Sequence, residues 1–461
     1  MYKIVYKFCV KFRKNTQSTL KKVFKQTLTT NKYMTKPKIL SPASNWPMLR
    51  AAVQAGCDEI YFGVKELNMR VTAKNFETSE LKKIVSFCHE NNVKANLCIN
   101  TIIYDNELEK INQILTNAKE ANIDSIICWD FSVIKQCSKL KIPTHISTQA
   151  SISNFESVKH FAKLGATRII LARELNLEQI KEIKNKIHKH KLNIEIECFI
   201  HGAMCVAISG RCFMSHQLFN KSANRGECIQ PCRREYHVKE NREPNSKDHN
   251  CKEHNSKEHS IKDIDKEFNL ELGTDYVMSP QDLCTIPFLE QLTDTIDILK
   301  IEGRGRSPEY VKATTESYKT ALDKIDKNEF SDQTKKELLE KLKTVYNRGF
   351  SSGFFLGKPI NAWCDVYGSK ATKKKEFIGY VRNYYKKPKV AEIQIQAEDL
   401  KLGDTIMIQG NKSGVFEQKI ESMQKNNNNI KDSKKGDRVG IKLNNEARPN
   451  DKVFRIIKKK N

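Results

Sequence analysis

The sequence predicts an α/β protein: a (β/α)8 TIM-like barrel with a cysteine-rich loop after its seventh strand, followed by a small C-terminal β-barrel domain. Within residues 34–330, eight short apolar runs alternate with segments of helical periodicity, the pattern of repeated βα units. From residue 376 to residue 461, short β-like runs are separated by turns such as Gly403-Asp404 and Gly436-Asp437. The length of 461 residues and the 39% hydrophobic content are sufficient for both domains.

The elements of both domains can be assigned in chain order. The eight barrel strands are predicted at residues 38–40, 59–62, 94–99, 125–129, 144–147, 168–171, 193–199 and 298–301. Helical segments between and after them are predicted at residues 47–55, 79–90, 107–121, 157–164, 177–187 and 308–325. Residues 331–375 are predicted to be a linker with one helix and an Asn-Arg-Gly-Phe block. C-terminal strands are predicted at residues 378–381, 390–395, 404–408, 438–443 and 452–457.

Two segments depart from this pattern. Residues 1–33 are basic, contain no acidic residue and have no apolar run long enough to cross a membrane. We expect this leader to be disordered, either as a mitochondrial transit peptide or as an over-long gene start ahead of Met34. Residues 239–266 are polar and imperfectly repeated without apolar periodicity, which predicts a flexible insertion in the barrel.

The charge of the chain favours a polyanionic partner. Its formal net charge is +25 and its isoelectric point is near 9.4, although a lysine-rich surface can also follow from an AT-rich genome. One C-terminal loop combines cations with aromatic rings, which suits phosphate contact and base stacking; its residues are Arg382, Tyr384, Tyr385, Lys386, Lys387 and Lys389. The C-terminal domain is therefore a candidate RNA-binding domain, and a solvated basic loop is the alternative.

Four closely spaced cysteines follow the seventh predicted strand. Cys205, Cys212, Cys228 and Cys232 have the spacing C-x6-C-x15-C-x3-C, whereas zinc sites usually use tighter knuckles. The spacing favours an iron-sulfur cluster. The alternatives are ordinary buried thiols, or a catalytic Cys205 activated by His201.

Polar residues follow several of the predicted strands. In a (β/α)8 barrel the active site lies at the C-terminal ends of the strands, so these residues are candidates: Ser41, Asn100, Gln149, Glu174, His201, Glu302 and Arg304. The sequence does not identify the catalytic residue, and Gln149, His201 and Glu302 are the candidates for it. Each could instead be a helix cap or a loop contact.

Several motifs carry a family resemblance. The run from Glu197 to Ser215 resembles the signature of the collagenase-like peptidase family of unassigned catalytic type, peptidase family U32; the matching positions are Gly202, Cys205, Gly210, Cys212 and Ser215. Further blocks resemble the same family, at Met69-Arg70, Asn75-Phe76, Ser147-Thr148-Gln149, residues 299–304 and residues 347–354. The resemblance extends from about residue 36 to the C-terminus.

This resemblance implies a hydroxylase rather than a peptidase. Long members with an added C-terminal domain convert the wobble uridine of tRNA to 5-hydroxyuridine, and shorter relatives hydroxylate rRNA or ubiquinone precursors. It implies a [4Fe-4S] cluster on the four cysteines, with Cys251 or Cys284 as an alternative fourth ligand, and iron-sulfur assembly machinery as a partner. It also implies a requirement for prephenate, whose two carboxylates Arg70, Arg173, Lys300 and Arg304 could bind.

The remaining expectations concern location and competing functions. We expect a cytoplasmic protein that acts on tRNA without a membrane partner. The main alternative is a metal- or thiol-dependent collagenase-like peptidase, but the sequence contains no HExxH or GxSxG motif. A non-catalytic RNA-binding module would explain the charge but not four clustered thiols.

Overall fold

The computed structural model describes residues 36–208, 211–236, 260–262, 269–271, 278–359, 362–366 and 368–459. By backbone contacts the chain divides into two units, Met1–Pro37 and Lys38–Asn461, and every element named below belongs to the second. The leader predicted over residues 1–33 lies outside the described residues. Of the predicted insertion at residues 239–266, the described part is residues 260–262.

Eight parallel strands form a closed barrel, which confirms the predicted fold class. Each strand pairs with the next along the chain, and the last pairs with both the first and the seventh. The barrel strands are β1 (Lys38–Pro42), β2 (Glu59–Phe62), β3 (Lys94–Cys98), β4 (Ser125–Cys128), β5 (Thr144–Ile146), β6 (Ala166–Ile170), β7 (Glu195–Gly202) and, after three further strands, β11 (Ile298–Ile301).

Helices cover the outside of the barrel and bury their apolar faces against it. They are α1 (Trp46–Gln54), α2 (Leu81–Glu90), α3 (Leu108–Glu120), α4 (Phe131–Leu140), α5 (Phe155–Lys163), α6 (Leu177–Lys189) and α8 (Pro308–Asp326), with the short α7 (Met214–Phe219) after β7 and α9 (Asp332–Lys343) after α8. Asn45, Asp130, Asn154 and Asn176 cap helix N-termini through side-chain oxygens. Helix α4 is not among the predicted segments, and its buried face is only Val133, Ile134 and Cys137.

A buried charge network fills the lower interior of the barrel. The Arg168 guanidinium donates to Glu59 at 2.8 Å and to Glu197 at 3.3 Å, and Lys300 Nζ lies 2.6 Å from the other oxygen of Glu197. All four side chains are almost fully buried. Because buried charges are tolerated only when they are paired, this network is a requirement of the fold, and we call it the interior network.

Strands β8 (Ser260–Lys262) and β9 (Asn269–Glu271) form a separate antiparallel pair. Two other strands extend the barrel sheet beside β7. Strand β10 (Asp282–Cys284) pairs antiparallel with β7, and β12 (Phe350–Ser351) pairs parallel with β10. The Asn-Arg-Gly-Phe block at residues 347–350 therefore lies next to the segment that follows β7.

The C-terminal domain is an antiparallel sheet of eight strands curled around its own core. The strands are β13 (Lys373–Tyr385), β14 (Val390–Ile395), β16 (Thr405–Gly410), β17 (Gly414–Lys419), β18 (Met423–Lys425), β19 (Asn428–Asn429), β21 (Arg438–Lys442) and β22 (Lys452–Lys458), with β15 (Leu400–Lys401) and β20 (Asp432–Ser433) as a separate pair. Two bulges bend β13, at Phe377/Gly379 and Val381/Asn383. Within the described residues no backbone pairing joins the end strands β17 and β19, so the predicted β-barrel is a curled sheet.

The C-terminal domain packs against α1 and α8 of the barrel. Met407 and Val415 bury apolar surface with Ala51 of α1. Arg50 donates to the Asn411 carbonyl at 2.6 Å, and Lys312 of α8 donates to the Val415 carbonyl at 2.8 Å. This contact lies on the outer side of the barrel.

Within the described ranges, no helix combines the length and apolar character that a membrane crossing requires.

Candidate active site at the barrel mouth

Three arginines and one glutamate meet at the C-terminal end of the barrel. Arg70 comes from the loop after β2, Arg173 from the loop after β6, and Glu302 and Arg304 from the loop after β11. Arg70 Nη2 lies 2.7 Å from Glu302 Oε1, and Arg173 donates to the Ala203 carbonyl at 2.8 Å. We call these four residues the mouth cluster. It brings together four of the residues predicted from the sequence.

The electrostatics of the mouth cluster are dominated by cations. Burial alone would raise the pKa of Glu302, but Arg70 and Arg173 outweigh it and hold that pKa at about 2. The Glu302 carboxylate in turn raises the pKa of Arg70. At neutral pH the cluster therefore contains one anion and three cations, a surplus suited to binding an anionic ligand.

Arg304 is held in place by two residues that the sequence did not single out. Its Nη1 donates to Asn68 Oδ1 at 3.0 Å, and its guanidinium lies 6.0 Å from the centre of the Tyr61 ring. A side chain at Gly63 would collide with Arg304, because its Cβ would lie 2.5 Å from Nη1. The sequence offered one signal that Asn68 belongs to the site: it lies two positions before Arg70, in the same loop.

A group of amides lies at the mouth as well, next to the loop that carries Arg70. Asn100 Nδ2 donates to Gln149 Oε1 at 3.2 Å and to Ser147 Oγ at 3.3 Å. Arg211, from the segment after β7, donates to the Gln149 carbonyl at 2.8 Å and lies over the Trp129 ring at 5.5 Å. Gln149 is therefore at the mouth, and its side-chain oxygen accepts a hydrogen bond from Asn100.

The four predicted cysteine ligands lie in the segment after β7, residues 203–236, which we call the cysteine segment. Cys205 is exposed, and Cys212, Cys228 and Cys232 are partly exposed; none is in a disulfide. Burial raises the pKa of Cys232, and the Cys205, Cys228 and Cys212 thiols raise it further. The four thiols therefore lie in one short segment of the chain, unbridged and at least partly accessible.

The cysteine segment packs against the loop that carries Arg70. Gly226, at φ +82°, packs so closely on the Asn68 carbonyl that a side chain there would collide with it. Glu302 is the largest cause of the raised pKa of Arg70, and the Cys205 thiol is a minor one. The segment with the four thiols therefore borders the loop that supplies Arg70 to the mouth cluster.

Four thiols in one segment are a donor set of the kind that iron-sulfur clusters use. Within the part of the chain that the structure describes, no group of three or more His, Cys, Asp or Glu side chains is arranged to hold one metal ion. The backbone N–H groups of Met214 and Gln230 each donate at 3.4 Å to the sulfur two residues earlier, Cys212 and Cys228.

The two alternative fourth ligands do not lie with the other thiols in the described structure. Cys284 is buried in β10, where desolvation raises its pKa to about 11 and the Tyr318 hydroxyl lies 3.8 Å from its sulfur. Cys251 lies outside the described residues. Among the described cysteines, Cys232 is the one that completes the group of four.

Four other sequence candidates lie outside the mouth cluster. His201 packs between β7 and α8, where Nδ1 lies 3.3 Å from the Tyr318 hydroxyl and burial lowers its pKa to about 3. Ser41 contacts Thr315 of α8 at 2.8 Å. Lys300 belongs to the interior network, one layer below the mouth. Glu174 is an exposed residue of the loop after β6.

Comparisons with known proteins agree with this architecture. The profile described as peptidase family U32 matches residues 44–364. An uncharacterized protease of Methanocaldococcus jannaschii is 39% identical over 90% of this chain and 97% of its own. A collagenase of Porphyromonas gingivalis is 35% identical (92% and 98%), and tRNA hydroxylation protein P1 of Bacillus subtilis is 31% identical (84% and 87%). With its barrel, its cysteine segment and this match over most of its length, the chain belongs to peptidase family U32.

Proposed function

We propose that this protein is a nucleic-acid hydroxylase that converts a tRNA uridine to 5-hydroxyuridine at the wobble position. One observation carries the proposal: the segment that contains the four thiols packs, through Gly226, on the Asn68 carbonyl in the loop that supplies Arg70 to the cationic mouth cluster. The similarity to a tRNA hydroxylation protein over 84% of the chain supports a nucleic-acid substrate.

In this proposal Cys205, Cys212, Cys228 and Cys232 hold a [4Fe-4S] cluster, delivered by the cell's iron-sulfur assembly machinery. Replacing the hydrogen on carbon 5 by a hydroxyl group is a two-electron oxidation that also requires an external oxygen donor. A cluster bound at these thiols would supply electron transfer to that reaction. The role of this chain is to hold the thiolates at the mouth and to orient them with backbone N–H donors.

The mouth cluster is the proposed site for prephenate. Arg70, Arg173 and Arg304 can each donate two parallel hydrogen bonds to a carboxylate, and prephenate carries two carboxylates. Glu302 keeps Arg70 in position through its 2.7 Å ion pair.

The C-terminal domain is the proposed RNA-binding module. Its loop after β13 exposes Lys386, Lys387 and Lys389 together with Tyr385, which is 48% exposed. Exposed cations and an exposed ring are what a loop that contacts phosphates and stacks on bases requires. The net charge of +25 is consistent with this role.

The peptidase names of two relatives suggest proteolysis, but the site geometry does not favour a thiol peptidase. A catalytic cysteine needs a histidine base within hydrogen-bonding distance. The histidine closest in sequence to Cys205 is His201, and its ring packs against Tyr318 on the outer side of β7 with a pKa of about 3. Arginines, rather than a base, neighbour the exposed thiol.

Complementation tests the proposed reaction. A strain lacking this protein is supplied with the wild-type gene or with a Cys205→Ser variant, and its tRNA is digested for nucleoside mass spectrometry. We expect wild type to restore 5-hydroxyuridine-type nucleosides and the variant to fail. Hydroxylated nucleosides in rRNA instead of tRNA would reassign the substrate. Cys205-dependent gelatin cleavage by purified protein, with no modified nucleoside, would refute the hydroxylase assignment.

Anaerobic purification tests the proposed cluster separately from the reaction. We expect about four irons per chain and the broad visible absorbance of a thiolate-bound cluster. Serine at any of the four cysteines should weaken or abolish that absorbance, whereas Cys284→Ser, at a buried thiol in β10, should retain it. Stoichiometric zinc without iron in a fresh anaerobic preparation would contradict the cluster.

A further inference from the structure

A second cationic site lies on the other side of the cysteine segment. It is a cleft of about 340 Å³ between the cysteine segment and the Asn-Arg-Gly-Phe block, and we call it the outer cleft. Its lining includes Cys228, Gln230, Arg233, Arg234, Tyr346 and Arg348. Arg348 belongs to a motif that the proposed function leaves without a role.

The outer cleft has more positive than negative charge. Its described lining residues include three arginines and no carboxylate. The nearest acid in contact with them, Asp282, lies behind the cleft, 3.5 Å from Arg348 Nη1. The other end of the Arg348 guanidinium donates to the neutral Gln230 at 3.2 Å. A cleft of this composition attracts an anion.

The guanidinium groups are positioned by the protein rather than free in solvent. Arg233 Nη1 donates to Ser279 Oγ at 3.0 Å and to the Pro280 carbonyl at 2.5 Å, and Nη2 donates to the Met204 carbonyl. Arg233 and Arg348 line the same cleft, and the remaining donors of Arg348 contact Gln230 and Asp282. Holding like charges together in a partly buried place has a free-energy cost that a bound anion would offset.

The outer cleft is open along one rim. Arg348 on its inner wall is only 5% exposed, whereas Arg234 on the rim is exposed and stacks over Phe219 at 4.5 Å. The rim continues onto exposed apolar side chains of the cysteine segment, including Phe213 at 75% and Ile229 at 39% exposure. Exposed rings beside guanidinium groups are the surface that single-stranded nucleic acids use for stacking and phosphate contact.

We propose that the outer cleft binds the phosphate of the RNA strand next to the nucleotide being modified, with Arg234 and Arg348 as the phosphate ligands and Arg233 positioning the cleft wall. This inference deepens the proposed function and rests on it. A volume of about 340 Å³ lies within the range of roughly 300–1,000 Å³ of ligand pockets and accommodates one nucleotide unit. Because Cys228 lines the cleft, the bound strand lies next to the thiols.

The test is equilibrium binding of the full chain, purified anaerobically, to an anticodon stem-loop RNA at several salt concentrations. Arg234→Gln removes an exposed charge, and Arg348→Lys retains the charge beside Asp282 but loses the forked donor. We expect each variant to bind RNA about tenfold more weakly at low salt. Arg234→Gln should also reduce the salt slope by about one unit. The matched control is Lys135→Gln, at an exposed position of α4, and should bind normally.

Two competition arms identify the ligand. Uridine 5′-monophosphate should compete with RNA for wild type, and less well for Arg348→Lys, whereas prephenate should not compete. Two results together would overturn the proposal: both variants bind RNA with unchanged affinity, and prephenate competes for wild type but not for Arg348→Lys. The cleft would then be assigned to the small anion. Failure of the proposed function is separately visible, because nucleoside mass spectrometry scores the reaction whereas these measurements score binding.

Discussion

The barrel contains two groups of charged side chains, one above the other, and they are built differently. In the interior network, Arg168 and Lys300 are matched by Glu59 and Glu197, and every one of these side chains is at most 4% exposed. In the mouth cluster three arginines surround Glu302, and Arg70 is 42% exposed. Arg168 also donates to the partly exposed Glu195, so the lower group has no surplus of positive charge. The upper group has such a surplus.

This difference indicates which charges serve the fold and which serve a ligand. A buried network in which every cation already has a carboxylate partner is not stabilised by a further anion. A cationic surplus at an open strand end is incomplete by itself, and an anionic ligand would complete it. Burial of charge alone therefore does not mark a functional residue in this protein; the balance of charge does.

The largest expected effect is on stability, and it separates the two groups. Glu197→Gln would remove the carboxylate partner of the buried Lys300, whereas Arg168 would keep Glu59 and Glu195. We expect a cost of about 3–5 kcal/mol in the free energy of unfolding. Glu302→Gln, at the water-accessible mouth, should cost only about 1–2 kcal/mol. Urea unfolding of both variants measures the difference. Equal losses would show that the two groups do not differ in this way.

At the mouth the next effect is on activity. Arg304→Gln should reduce the formation of 5-hydroxyuridine by about a hundredfold or more, because a lost bidentate contact misplaces the small anion. Arg304→Lys should recover only part of the activity, since lysine lacks the forked donor. The cluster absorbance should remain in both variants. Nucleoside mass spectrometry after complementation measures the effect, and full activity of Arg304→Gln would contradict the proposed ligand site.

His201 should affect pH-dependent stability rather than catalysis. Its pKa is about 3 in the folded chain against 6.5 for an unperturbed histidine, so below pH 6.5 the unfolded state takes up a proton that the folded state does not. The stability that neutral His201 contributes is present above pH 6.5 and is lost as the pH falls towards 3, by about 1.4 kcal/mol per pH unit.

His201→Gln is the variant that tests this linkage. It should flatten the decline of unfolding free energy between pH 6.5 and pH 4 while retaining hydroxylation at neutral pH. Denaturant unfolding at three pH values measures the slope. An unchanged slope together with lost hydroxylation in correctly folded protein would return His201 to the list of catalytic candidates.

The smallest effect per residue is expected in the C-terminal domain, far from either charge group. Neutralising Arg382, Lys386, Lys387 and Lys389 together should weaken tRNA binding and reduce its salt slope by up to about four units. The control neutralises four exposed lysines of the barrel helices, Lys119, Lys135, Lys139 and Lys163. If both quadruple variants lose the same slope, the loop is an unspecific contributor to charge and not an RNA-binding site.

Much of the architecture was accessible from local sequence patterns. The eight strands were predicted within a few residues of their observed bounds, because period-2 and period-3.6 patterns reflect which side of each element is buried. Arg70, Arg173, Gln149 and Glu302 were found at the mouth because parallel strands end on one face of a barrel. The four described thiols lie together because they belong to one short segment.

Tertiary structure alone decided where several other side chains point. Two residues of β7, Phe199 and His201, face consecutive residues of β11, Lys300 and Ile301, and this bulge directs His201 outward to Tyr318. Side-chain direction alternates along a strand, so one extra residue inverts it, and no local pattern contains that information. Two further features depend on contacts between segments distant in sequence. Lys300 pairs with Glu197, and the outer cleft is lined by residues 228–234 together with Arg348.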